Sequence, residues 1–265
     1  MADLAVTGLR RVTATRYVLP LREGGSLPGL MEADDFGTYV VKFRGAGQGP
    51  KALVAEVIAA ELARALDLKV PDLVGVELDP LLGRAEPDQE VQELLLASPG
   101  LNLGVDYLPR SLGFDPAADH VAPELAAAVV WFDALIHNVD RSWRNPNLLC
   151  WHQALWLIDH GASLYFAHNW PTAEAAATRP YGQIDEHVLL GLAGPIDAAD
   201  AQLAPRLTPA VLTAATAAVP QAWLAGDGHF ADPEAARAAY VDILARRLEH
   251  REAWVPPLEV ARARV

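Results

Sequence analysis

The segment NVDRSWRNPNLL, Asn138 to Leu149, packs Asp140, Arg141, Arg144 and Asn145 between a helix-like apolar run and a strand-like one. A plain surface loop has no need of an acid and an amide five positions apart just ahead of a strand. Upstream, APELAAAVVWFDALIH has a helical pattern with Pro123 near its start. Downstream, NLLCW turns at His152 and Gln153 into ALWLID, which reads as a hairpin. An antiparallel pair returns the chain to where it began, so Asp159 is expected near Asn145 and Asp140. Two acids and an amide, followed by Gly161, make a hard-oxygen site. Such a set suits Mg²⁺, which binds through one or two carboxylates plus substrate phosphates. Zinc is not indicated, because His137, His152, His160 and His168 lack close ligand spacing and Cys150 stands apart.

The bulk properties bound the answer. A chain of 265 residues, 52% hydrophobic and 21% charged, buries a substantial core as one large domain or two small lobes. Its net charge of -13 argues against a broad nucleic-acid surface or an anionic membrane as main partner. A small anion in a local basic pocket stays compatible with that charge. The single cysteine, Cys150, cannot form an internal disulfide, which suits a reducing cytoplasm. Its neighbours Leu149 and Trp151 mark it as a buried, inert thiol. MADLAVTGLRRV has no long apolar segment or cleavage site, and LAAAVVWFDALI contains Asp133 and is too short to span a bilayer. The expected location is cytoplasmic.

Along the chain, RYVLPL and TYVVKF read as strands joined by REGGSLPGLMEADDFG, which carries Gly24, Gly25 and Gly29. A helix is expected through KALVAEVIAAELARALDL, ending before Pro71. VPDLVGVELD reads as a strand, GRAEPDQEVQELLLASPG as a surface turn with a short helix, and LNLGVDYLP as a strand and crossing point. Beyond Leu108 the chain turns helical, with helices expected over Thr208–Val219 and Pro233–Arg251, the latter capped by Asp232. The expected division is a β-rich part with one long helix, residues 1–105, and a larger, mainly helical part, residues 106–265.

Lys42 alternates with Val41 and Phe43 and so projects from one sheet face. A strand lysine neutralises α- and β-phosphates when a helix carboxylate fixes its ammonium. The spacing D-x4-N with a later D-x-G, a strand Lys and a helix Glu is the arrangement of phosphoryl-transfer enzymes of the protein-kinase type. Glycine-rich REGGSLPGL is able to fold over the phosphates.

Taken in order, GGS, YVVKF, ALVAE, LDLKVP, NVDRSWRNPNLL and LIDHG resemble the HipA-like kinases, a branch of the protein-kinase fold. The loop is also similar to the DRHxxN and DFG elements of phosphatidylinositol kinases. The resemblance covers residues 10 to 165 or so and implies an α+β, two-lobed kinase-like fold that uses ATP and Mg²⁺. It implies that Lys42 holds the α/β-phosphates and Glu56 pairs with it. It implies too that Asp140 is the catalytic acid facing the acceptor hydroxyl and that Asn145 and Asp159 coordinate Mg²⁺. Gly24, Gly25 and Ser26 would lie over the nucleotide, and the hinge LNLGVDYL, through Leu108, would meet adenine. The implied acceptor is a Ser or Thr of a protein.

The chain departs from the pattern in places. Asn138 and Val139 stand where a His-Arg pair usually precedes the acid, His160 replaces Phe in DFG, and the glycine loop lacks G-x-G-x-x-G spacing. Asn147 competes with Asn145 for the metal, although the five-residue offset favours Asn145. Helical periodicity alone turns Glu61 inward, whereas the family register selects Glu56. Ordinary readings exist for each residue: Lys42 as an edge charge, Asp140 and Asn145 as turn and cap, Asp159 as turn chemistry. Ser26 suits autophosphorylation or simple turn formation. The rival functions are a small-molecule phosphotransferase of the same fold and a nucleotide-binding pseudokinase that acts as a regulator.

Overall fold

The computed structural model describes residues 8–22 and 27–265. Five strands close into a barrel in the order β1-β2-β3-β5-β4: β1 (Arg10–Pro20), β2 (Gly29–Ala33), β3 (Thr38–Lys42), β4 (Leu73–Leu78) and β5 (Gly100–Asp106). Closure gives every strand of the barrel a neighbour on each side. Strand β1 begins at Arg10 rather than Arg16, because its first half runs parallel to β4, pairing Arg10 with Val74 and Thr13 with Glu77. Its second half pairs antiparallel with β2 across two register shifts, which bend one strand into two partnerships. Strand β2 lies inside the segment expected to be only a connection. Its sequence, GLMEA, has no β-branched residue, so pairing with β1 and β3 rather than propensity makes it a strand. Gly29 is needed there: a Cβ would lie 2.6 Å from the Tyr17 ring and 3.1 Å from Phe43. Val12, Met31, Tyr39, Val41, Val74 and Val76 fill the barrel, with Val91 and Leu95 sealing one side.

Helix α1 (Pro50–Ala65) connects β3 to β4, and α2 (Gln89–Leu96) precedes β5, capped by Asp88. Then follow β6 (Leu112–Gly113), α3 (Pro123–Leu135), β7 (Leu148–Trp151) and β8 (Ala154–Leu157). The short β6 was not anticipated; it pairs with β7. The hairpin turns at His152 and Gln153, both with positive φ (48° and 60°), as a two-residue turn requires. Short 3-10 turns lead to α4 (Ile196–Leu203), α5 (Pro209–Ala217), α6 (Gln221–Leu224), α7 (Pro233–Glu249) and α8 (Val255–Arg262). Asp232 caps α7 through its side chain, as expected, and Thr208 caps α5 in the same way.

A second, larger core runs through α1, α3 and the C-terminal helices. Helix α1 packs on α5 and α6, so although it precedes residue 105 it shares the core of the helical part. Arg247 of α7 is fully buried and donates to the carbonyls of Ala134, Ala176 and Arg179, tying the end of α3 to the 176–179 segment. Among the described residues no helix is long and apolar enough to cross a membrane.

Candidate active site

Strand β3 alternates, with Tyr39 and Val41 inside the barrel, so Lys42 leaves on the other face. There its ammonium binds Glu56 of α1 and, at 2.7 Å, Asp159, which is 117 residues away in the chain. Glu56 is 3% exposed, whereas the Asp159 side chain remains 41% exposed. Burial pulls the Lys42 ammonium down, but Glu56 and Asp159 outweigh it and hold it above its ordinary value. Burial, together with Asp159, raises Glu56 despite Lys42. Burial also works against ionised Asp159, yet Lys42 holds its carboxyl below the usual range. The carboxylate nearer solvent therefore carries the negative charge most readily.

Glu61, the residue that periodicity turns inward, is half-exposed and pairs with Arg64. Helix α1 is buried without a break from Leu53 to Ala60, so it has no single apolar face from which to judge orientation.

The loop after α3 is organised around Asp140. Its amide donates to the side-chain oxygen of Asn138 at 3.1 Å, and its carboxylate accepts from Asn145 at 2.9 Å and Asn147 at 3.3 Å. Asn147 also donates to the Asp140 carbonyl at 2.6 Å. Both amides thus use Nδ2, and neither Oδ1 accepts a bond among the described residues. Asn145 is exposed, while Asn147 is half-buried directly ahead of β7, its carbonyl accepting from Ile158 at 3.1 Å. The hairpin thereby brings Asn147 beside the residue preceding Asp159. His137, Asn147 and Asp159 all have positive φ (52°, 48° and 54°), so left-handed backbone clusters here.

Beneath the loop lies a buried network that sequence reasoning missed. Asp133 of α3 accepts from Arg141, from Asn138 at 2.9 Å and from His187 at 3.0 Å. His187 accepts at Nδ1 from the Leu189 amide, so the proton facing Asp133 sits on Nε2. Burial opposes charge on Asp133, but Arg141 and His187 overcome it and hold the carboxyl far below the usual range. Arg141 also donates to the carbonyls of Pro146 and Asn147, and Tyr181 to that of Asn138. The signal in the sequence was one acid inside the apolar run LAAAVVWFDALI, where only a paired charge is stable.

Leu108 lies just beyond β5, its side chain buried and its carbonyl accepting from Ser111. Gly24, Gly25 and Ser26 fall outside the described residues. Trp143 does not pack beneath the loop: it is 62% exposed, with the Arg144 guanidinium 4.3 Å over its ring. His160 is 2% exposed, edge-on to Phe132, and burial pushes its imidazole down to about 3, so it fills an apolar position as a neutral ring. Cys150 is only half-buried, and burial with Asp119 pushes its thiol up to about 11, which suits an inert thiol. Among the described residues no three His, Cys, Asp or Glu side chains converge as a metal site. One carboxylate with amide oxygens is instead a donor set that phosphate oxygens would complete.

The HipA-like kinase family matches residues 16–256 of the chain. No curated protein matches it. Among solved structures, the proinflammatory kinase CtkA of Helicobacter pylori is similar over 97% of this chain and 99% of its own, with 11% identity and a TM-score of 0.51. The Golgi casein kinase with Mn/ADP bound has 14% identity over 94% of this chain and 75% of its own, with a TM-score of 0.42. The likeness to CtkA concerns the fold.

Proposed function

From the fact that the chain belongs to the HipA-like kinase family, we propose that this phosphotransferase moves the γ-phosphoryl group of ATP to a hydroxyl, that of a Ser or Thr in a protein. The reading takes the barrel part and the helical part, residues 1–105 and 106–265, as two lobes with ATP between them. The main chain at Leu108 would meet adenine, and Gly24, Gly25 and Ser26 would cover the phosphates. Lys42 holds the α/β-phosphates and Glu56 keeps its ammonium in place. Asp140 orients the acceptor hydroxyl and takes its proton. The acceptor oxygen bonds to the γ-phosphorus as the bond to the β–γ bridging oxygen breaks, and ADP leaves with that electron pair.

Mg²⁺ suits the oxygen donors Asp159 and Asn147, and when bound it neutralises charge on the phosphate oxygens. Asn147 is the better placed of the two amides, being half-buried and bonded to the residue before Asp159, whereas exposed Asn145 steadies the Asp140 carboxylate. A single cysteine, which cannot close an internal disulfide, accords with a place in the cytoplasm.

The observation that carries the reading is the meeting of Lys42, Glu56 and Asp159 from three distant segments beside an Asp140 held by two amides. The test is intact mass and ATP turnover after incubation with ATP and Mg²⁺. We expect a phosphate-sized mass gain or turnover, reduced about 10²–10⁴-fold in Asp140→Asn. Absence of ATP binding would overturn the reading.

A further inference from the structure

A cavity of about 720 Å³ opens beside the catalytic loop and is lined by His137 and Val139 on the chain just ahead of Asp140. Tyr165, His168 and Arg179 line the same cavity. Val139 is the chain neighbour of Asp140 and is 40% exposed, so whatever fills the cavity lies beside the residue that orients the hydroxyl. Building on the kinase reading above, we propose that this cavity is the acceptor site and that it takes a Ser or Thr within an acidic, aromatic-containing protein segment, whose carboxylate meets Arg179.

Charge is the first argument. The chain has 34 acids against 21 lysines and arginines, yet no Asp or Glu lines this cavity. The Arg179 carbonyl accepts from Arg247, but its guanidinium enters no ion pair among the described residues, whereas nearby Arg144 and Arg246 face Glu186 and Glu174. Among the lining residues Arg179 carries the one formal charge. Burial lowers His137, and Arg247 and Arg179 lower it further; burial and Lys51 do the same to His168. A neutral or basic segment gains nothing from such a wall.

Shape supplies the second argument. Tyr165 is 59% exposed and leans on His168 at 4.9 Å, an aromatic surface with no core to serve. One exposed arginine is too weak to hold a small anion by itself, since solvent and salt screen exposed ion pairs. Beside an aromatic wall it instead selects among segments that bind along the whole cavity.

The test uses the full chain and two fluorescein-labelled ten-residue peptides with the same Phe-Ser centre, one flanked by Glu and one by Lys. Kd is read by anisotropy, and ATP binding and hydrolysis are measured in the same samples. The Glu peptide should bind about threefold more tightly, the effect of one exposed charge pair. Arg179→Glu should reverse that order and Tyr165→Ala should weaken the Glu peptide, with ATP binding retained as the check that each variant is folded. Equal binding of the two peptides, no binding of either, or an unchanged preference in Arg179→Glu would overturn the acceptor assignment. Loss of ATP binding in the unaltered protein would instead strike the kinase reading, while the peptide preference judges the cavity separately.

Discussion

Asp133 is a carboxylate at the centre of a protein core that neutralises one guanidinium and fixes three loop residues at once. Breaking a buried pair by removing one partner leaves the other charge uncompensated. Asp133→Asn keeps the volume but strands Arg141, one of whose nitrogens, Nη2, already lacks a partner. Stability should fall by about 3–5 kcal/mol, read from urea unfolding. A loss below about 1 kcal/mol would mean the pair contributes little beyond solvated polar contacts. Since Arg141 also holds the carbonyl of Asn147, the same change reaches the amides around Asp140.

At the scale of elements, the barrel depends on a strand with little intrinsic claim to be one. Gly29 in β2 sits under the rings of Tyr17 and Phe43, so adding a side chain forces those rings or the backbone to move. Gly29→Val raises β-propensity yet should destabilise by about 1–3 kcal/mol, because overpacking outweighs propensity. Gly47→Ala is the control, since a Cβ there meets nothing within 4 Å and the change should stay within about 0.5 kcal/mol. Thermal melts of the two variants decide it; equal melting temperatures would show that the barrel yields freely at β2.

Across the whole molecule, His137 reports on how the helical part is held together. It follows α3, its Nε2 donates to the Ala176 carbonyl, and it feels Arg247 of α7. Burial, then Arg247, push its pKa from 6.5 to about 3, so the folded protein keeps the ring neutral. As pH falls below 6.5 the unfolded chain takes up a proton that the folded chain refuses, and stability drops with pH. The loss from this one group should reach about 2 kcal/mol by pH 5 and be absent at pH 7. His137→Asn, which tolerates the left-handed backbone, should flatten the unfolding free energy between pH 5 and 7 relative to the parent chain. An unchanged slope would place the acid sensitivity elsewhere.

Local chemistry made much of this legible in the residues alone. The β7–β8 hairpin follows from alternation around His152 and Gln153, the cap of α7 from Asp232, and the partnership of Asp140 with Asn145 from their five-residue offset. These signals lie within a few residues of what they specify. The parallel closure of β1 on β4, the identity of β2 as a strand, the choice of Glu56 over Glu61 and the pairing of Asp133 with Arg141 and His187 arise differently. Each depends on what a distant segment presents. A helix buried on all sides shows no preferred face, and a strand poor in β-branched residues shows no pattern until its neighbours hydrogen-bond to it. Periodicity senses contact with solvent, whereas these features were settled by contact with other parts of the chain.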